Sequence, residues 1–574
     1  MSLGKLQSVP TKLALTLLLA ALPALAQSPD TILYHGNILT GAHLTPADAA
    51  DPTPARVQAL AIAKGIVVAV GTDPEILKLK TPTTKLIDLR GAFALPGFND
   101  AHVHLADAGQ QKLSIDLDHV PSLTAMLQTI HTYAADKKPG AWLQGGGWDH
   151  TLWTDKRLPT AKDLDTVTGT HPCVLWRTDG HMAVANTAAL AAAHITSETP
   201  DPKGAKIDRD PDGNPTGILR ETAATNLVFS IIPPPDPDTR RQALQVAIAD
   251  ALAHGVTSVQ DFSTWDDFLT LESLEHTGQL HLRISEWLDF NLPIEVLKTR
   301  RASHPTDDRL LHTGMLKAFM DGSLGSRTAA LENPYADDPT NSGIPRYDQQ
   351  KLNQMSAERA AAGFQLGFHA IGDRANQIAL NAFAAAEQTA QPSHPPDPTL
   401  RLRIEHAQVL LPQDFARFQS EHVIASMQPS PLLPDMAWAP SRLGPSRTKY
   451  AYAWKSFLDH GVTLAFGTDY PVESINPFRG LYAAITRQNE SGTQTFDLPT
   501  ATQERLPLNQ ALYAYTQASA YADFSETFRG RLQPGYLADL AVLDRDITTS
   551  TPRELLNTKV LQTILNGAPV YTHP

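Results

Sequence analysis

Between Val256 and Asp469 the chain alternates short apolar runs of strand length with Ala-rich runs of helix length, and this alternation restricts the fold more than any other feature. The strand-like runs are 256–262, 280–290, 315–321, 364–370, 400–407, 422–428 and 462–469, with helix-like segments such as 377–389 between several of them. Adding the run that ends at His104 makes eight. Eight parallel strands with crossover helices form a TIM (β/α)8 barrel, at roughly 31 residues per unit. Spacing supports the register: His369 to His406 is about one unit, and His406 to Asp469 about two, with the 422–428 run between them.

The interval from His104 to Gly255 is far too long for one unit, so about 120 residues are inserted after the first strand. A structureless loop of that length is unexpected in a compact domain, so 105–232 is read as a subdomain over the catalytic face, ending at Pro233-Pro234-Pro235. Short β segments flank the barrel at both ends of the chain: 31–40 and 59–70 near the start, 539–544 and 560–571 near the end. The expected organisation is a distorted α/β TIM barrel over 93–530. A small β-sandwich would be assembled from 27–92 and 531–574.

Lys5 and Lys12 precede an apolar stretch, and Ala24-Leu25-Ala26 has the small-x-small pattern of a cleavage site, so 1–26 is read as a secretory signal peptide and the protein as exported, to a periplasm. The stretch is too short for a stable membrane anchor. With 47 basic against 60 acidic residues, net −13, and no basic run, the chain is a poor binder of nucleic acid or anionic lipid. Its partner is expected to be a small-molecule substrate, with a homodimer left open. A lone cysteine, Cys173, excludes an internal disulfide and reads as a small buried hydrophobe.

Chemistry concentrates at the strand ends. In PGFNDAHVH, His102 and His104 share one face of an extended strand, about 6–7 Å apart at the backbone, which suits two ligands of one ion. Lys317 in MLKAFMDGS, His369 in FQLGFHAIGD, His406 in LRIEHAQ and Asp469 in LAFGTDYP close four later strands. On the His369 and Asp469 strands the ligand positions alternate with Phe and Leu, so ligands face the barrel axis while apolar side chains face the helices. The His406 strand dissents, because Arg403 and Glu405 take the parity assigned to the helices. Nitrogen and oxygen donors on one rim suit zinc, with manganese, iron or nickel as alternatives.

The ordered motifs LPGFNDAHVH, GGGWDHTLW, RTDGHMAVANTAAL, GILRET, KAFMDGSLGSRTAAL, GFHAIGD, RIEHAQ, FGTDYPV and PGYLADLAVLD resemble the amidohydrolase superfamily of metal-dependent hydrolases over nearly the whole chain. Within it they are most similar to the branch that includes N-substituted formamide deformylases. The resemblance implies one or two divalent ions: His102, His104 and Asp469 on the first, His369 and His406 on the second, and Lys317 bridging them as a carbamate. It also implies hydrolysis of a non-peptide carbon–nitrogen bond by metal-activated water, with Asp469 as general base and acid. Deaminases of the same superfamily place a glutamate three residues after the fifth-strand histidine; that position is Gly372, followed by Asp373. A deaminase, a cyclic-amide hydrolase, or a catalytically silent periplasmic binding or regulatory protein are the alternatives.

Candidate substrate contacts are Trp148 and His181 in the insertion, and Asp321 and Arg327 after the Lys317 strand. Each has a plainer reading: the tryptophan as core of the insertion, the others as loop architecture, and Glu221 as a salt-bridge partner of Arg220.

Overall fold

The computed structural model describes residues 28–45, 51–178, 180–390, 400–496 and 504–574. The expected leader, 1–26, lies outside the described residues, and so does Asp179. Among the described residues no helix is long and apolar enough to cross a membrane.

Eight strands form one parallel sheet in chain order: β1 (Phe98–Val103), β2 (Val256–Asp261), β3 (Arg283–Asp289), β4 (Leu311–Phe319), β5 (Leu366–Ala370), β6 (Arg403–His406), β7 (Ile424–Met427) and β8 (Leu464–Phe466). The ends meet just beyond β8, where Asp469 N–H donates to the His102 carbonyl (2.8 Å) and His104 N–H to the Tyr470 carbonyl (2.7 Å). This closure is the distorted TIM barrel expected from the strand count. It brings the last rim residue, Asp469, directly against the first pair of histidines.

Alternation along β5 sorts side chains as the sequence pattern requires. Phe368 points outward to Phe290 and to Phe383 on the helix Asp373–Ala390, with ring centroids 5.2 and 4.8 Å away. Gly367 points inward, where a Cβ would come within 2.0 Å of the Met315 sulfur, so a side chain there would overfill the interior.

The first expected β segment, 31–40, is two strands that part at Gly36. Thr31–Tyr34 joins a four-stranded sheet, while Asn37–Leu39 joins a six-stranded one. The six-stranded sheet also contains Leu540–Leu543, Val560–Leu565 and Ala568–Thr572, so both ends of the chain build it. The segments 59–70 and 560–571 each fold as a hairpin. Their turns, Lys64-Gly65 and Asn566-Gly567, hold both residues at positive φ, which matches the right-handed twist of the flanking strands.

The long interval after β1 holds its own six-stranded sheet and helices. Its core includes Trp148, Trp153, Leu164, Cys173 and Leu175. Burial pushes the Cys173 thiol far up, so it is not a nucleophile at neutral pH.

Candidate active site

The β1 end supplies two imidazoles whose orientations are set by different partners. His102 is wholly buried, and its Nδ1 lies 2.9 Å from Glu405 Oε2, which leaves Nε2 facing the barrel mouth. His104 Nδ1 donates to the Phe262 carbonyl (3.0 Å), again freeing Nε2. Both Nε2 atoms approach Asp469 Oδ1, at 3.6 and 3.2 Å. The donor atoms of His102, His104 and Asp469 all lie within 4.8 Å of one another, a set that fits a divalent ion with nitrogen and oxygen ligands.

The other rim residues converge on this trio. Lys317 Nζ lies 3.0 Å from His102 Nε2, above the rings of Trp287 and Phe319. The His102 and His406 rings are 5.1 Å apart, and those of His406 and His369 4.4 Å. All six sequence-identified ligand candidates therefore occupy one mouth. His369 Nε2 donates to the Gly322 carbonyl (3.1 Å), so this ring presents Nδ1 to any second ion.

The dissent on β6 has a backbone cause. Arg403 and Glu405 do point into the barrel: Arg403 Nη2 donates to the Ala101 carbonyl and Ser426 Oγ, and its Nε to Glu405. His406 then adopts φ 72° and Ala407 φ 43°, which turns the next side chain back onto the rim despite its opposite parity. Asp469 also has positive φ, at 60°. Non-glycine residues rarely hold this conformation without surrounding contacts that enforce it, and such residues cluster at functional sites.

Burial governs the electrostatics of most of these groups, with Asp469 the exception. Burial, with Lys317 nearby, drives His102 far below the usual histidine range; burial and His369 do the same to His406. Burial also pushes Lys317 down to about 8, against the opposing pull of Glu405 and Asp469. Burial alone would raise Asp469, but His102, His104 and Lys317 outweigh it and hold its carboxyl below the ordinary range. Asp100, which accepts from the amides of His102 and Thr468 and from the Thr468 hydroxyl, is pushed up to about 7 by burial.

Beside His104 opens a cleft of about 490 Å³ with Phe262, Trp265, Trp287, Leu292 and Phe319 among its lining. Sequence reasoning missed these aromatic residues, along with Glu405, Trp287 as the floor beneath Lys317, and Asp100 as a brace. One signal was present: Asp100 and His102 share a parity, as do Arg403 and Glu405. A second cavity, of about 890 Å³, lies where the insertion (Gly145–Gly147, Arg177) meets Tyr470 and Glu473.

Of the four proposed substrate contacts, none lines the cleft beside His104, and only Asp321 touches a rim ligand candidate, with Oδ1 3.4 Å from His369 Nε2. Trp148 is fully buried with its indole N–H on the Leu175 carbonyl, so it belongs to the insertion's core rather than to a pocket wall. Asp321, also fully buried, accepts from the amides of Ala330, Ile371 and Gly372, which makes it an anchor for two rim loops. Arg327 is bound by Asp337 on the surface. His181 is exposed beside Glu221 (3.1 Å). The proposed Arg220–Glu221 bridge is also corrected, because Arg220 pairs with Asp208 instead.

Gly372 leaves no room for a deaminase glutamate, since a Cβ there would stand 1.9 Å from the Ala330 carbonyl oxygen. Asp373 accepts from the amides of Glu332 and Arg374, an architectural role at a helix start.

Comparison with known proteins agrees with this geometry. The profile of a family described as the amidohydrolase family matches residues 85–571. A putative amidohydrolase of Bacillus subtilis, YtcJ, is 31% identical over 525 residues, covering 90% of this chain and 96% of the relative. An N-substituted formamide deformylase of Arthrobacter pascens is 26% identical, covering 95% of this chain and 99% of that protein. The crystal structure of an uncharacterized metal-dependent hydrolase from Pyrococcus furiosus superposes with a TM-score of 0.74 at 28% identity, covering 90% of this chain and all of that one.

Proposed function

The chain belongs to the amidohydrolase family, as a metal-dependent hydrolase of carbon–nitrogen bonds, and from that premise we propose that its substrate is a small amide, formamide or carbamoyl-like compound bearing an apolar substituent. The observation that carries this reading is the position of the His102–His104–Asp469 donor set at the lip of an aromatic cleft. The similarity to a formamide deformylase supports the same bond type.

His102, His104 and Asp469 would hold one divalent ion, zinc by donor type, with His369 and His406 available to a second and a carbamate on Lys317 to join them. When bound, such an ion lowers the pKa of a coordinated water toward about 7 and polarises the substrate carbonyl. The chain's own groups supply the rest. Asp469, held ionised, accepts a proton from the attacking water and delivers it to the departing nitrogen. Phe262, Trp265, Trp287 and Phe319 seat the apolar substituent and exclude bulk water from the carbonyl. Lys317, lowered to about 8, has a substantial neutral fraction in mild base, and the neutral amine is the form that combines with carbon dioxide. The leader-like 1–26 would direct the enzyme to a periplasm.

A panel of N-alkyl and N-aryl formamides and simple amides, assayed with zinc or manganese, tests the reading. Release of formate or carboxylate that rises with substituent apolarity is expected. Equal inertness of the parent and Asp469→Asn across the panel would refute it.

A further inference from the structure

Remote from the barrel mouth, a second group of side chains has the make-up of a cation site. The helix Trp265–His276 presents Glu272 and Glu275 on one face, three residues apart. The connection between the helix Ile294–Ala302 and β4 brings His304 and Asp308 against them. The donor atoms of Glu275, His304 and Asp308 lie within 4.8 Å of one another.

His304 provides the independent observation. Its side chain is only 5% exposed, and Phe268 packs edge-on against its ring. Nδ1 lies 2.9 Å from Glu272 Oε1, which fixes the ring's orientation. Nε2 makes no hydrogen bond, yet it is aimed between Glu275 Oε2 at 3.7 Å and Asp308 Oδ2 at 3.9 Å. An imidazolium among carboxylates would be expected to close such gaps to about 2.7–2.9 Å, the length of a charge-assisted hydrogen bond. Separations near 3.7 Å are instead close to those between neighbouring ligands of one ion, about 3.3 Å for a tetrahedral site with bonds of about 2.0 Å. Asp308 Oδ1 accepts from the amides of Leu310 and Leu311, which leaves Oδ2 to face the imidazole. A carboxylate on the far ring nitrogen is the usual support of a ligating histidine.

We propose that His304, Glu275 and Asp308 form a second, non-catalytic binding site for a divalent transition-metal ion, with Glu272 orienting the histidine. One imidazole nitrogen and two carboxylate oxygens match zinc, and the partly exposed carboxylates leave room for water as a fourth ligand. The ion would clamp the helix Trp265–His276 to the approach of β4. Trp265 at the start of that helix lines the substrate cleft, so the clamp steadies one cleft wall without touching the reacting atoms.

The test uses the full chain, stripped by chelator and then titrated with zinc alone against a chromophoric competitor. The parent is expected to hold one equivalent more than Glu275→Gln/Asp308→Asn, with hydrolytic turnover in the variant within about twofold of the parent at saturating zinc. His304→Gln should lose the same equivalent. Equal zinc stoichiometry in the parent and in a natively folded double variant would overturn the proposal. Should the variants fail to fold, zinc-edge anomalous scattering from parent crystals decides: a peak about 2.0–2.2 Å from His304 Nε2 supports the site, and its absence refutes it.

Discussion

The two mouths of the barrel handle buried charge in opposite ways. At the floor, where the strands begin, Arg283 places Nε and Nη2 on Asp539 (2.6 and 2.9 Å) and Nη2 also on Asn566, while Asp523 pairs with Arg529 and His312. Burial would raise Asp523, but His312 and Arg529 outweigh it and hold it down at about 2. At the rim, Lys317 falls to about 8, Asp100 rises to about 7, and His102 and His406 are driven far down, each pushed toward neutrality by burial. The floor's carboxylates, Asp523 and Asp539, are each paired with an arginine, and these pairs tie the C-terminal segments to the barrel. These four rim groups lack sufficient partners, unlike their neighbour Asp469, and that is the expected condition of groups held ready for a ligand at a cost in stability.

Substitutions at the two mouths should therefore have effects of different kinds. Asp469→Asn is expected to lower turnover by about 10³-fold while the thermal midpoint stays near the parent's, because only proton transfer and one ligand charge are lost. A matched pair sharpens the contrast. Arg283→Met strands Asp539 in the interior and should destabilise by about 3–5 kcal/mol, read from denaturant unfolding, with little change in the kinetics of the surviving folded enzyme. Lys317→Met removes an under-compensated buried cation and should leave the metal-free protein as stable or more so, yet inactive. If both variants lost stability equally, the distinction between the mouths would collapse. Glu405→Gln comes next: with the carboxylate on His102 Nδ1 neutralised, metal affinity should fall about 10–100-fold, measured by chelator competition.

What was legible in the sequence follows the same division. The strand count, the register and the six rim residues were readable because apolar alternation and unit spacing are local properties that recur along the chain. At β6 a positive φ at His406 re-aims one side chain against its parity, and such a backbone turn leaves no trace in a hydrophobic pattern. Asp321 looked like a ligand contact because it is an acid after a rim strand. Its three amide partners come from loops up to 51 residues away and exist only in the fold. The aromatic cleft was hidden for a related reason. Phe262 follows β2, while Trp287 and Phe319 sit on β3 and β4, and each reads alone as ordinary core.

Asp100 and Asp523 isolate the contrast in one residue type, because both are fully buried and their shifts have opposite signs. Asp523 has a folded pKa of about 2 against 3.8 for the ordinary carboxyl, so its contribution to stability is present above pH 3.8 and is lost as pH falls from there toward 2. Asp100 has a folded pKa of about 7, so the folded state resists its ionisation, and a penalty accumulates as pH rises from 3.8 to 7. Each pH unit of such a window is worth about 1.4 kcal/mol. Measured by urea unfolding of the metal-free protein, the stability of Asp100→Asn relative to the parent should therefore improve between pH 4.5 and 7 and then level off. The deficit of Asp523→Asn should be constant across that range. A flat Asp100→Asn difference would mean that its hydrogen bonds from His102, Thr468 and the Thr468 hydroxyl already hold the carboxylate ionised, and the rim would then store less electrostatic penalty than its burial implies.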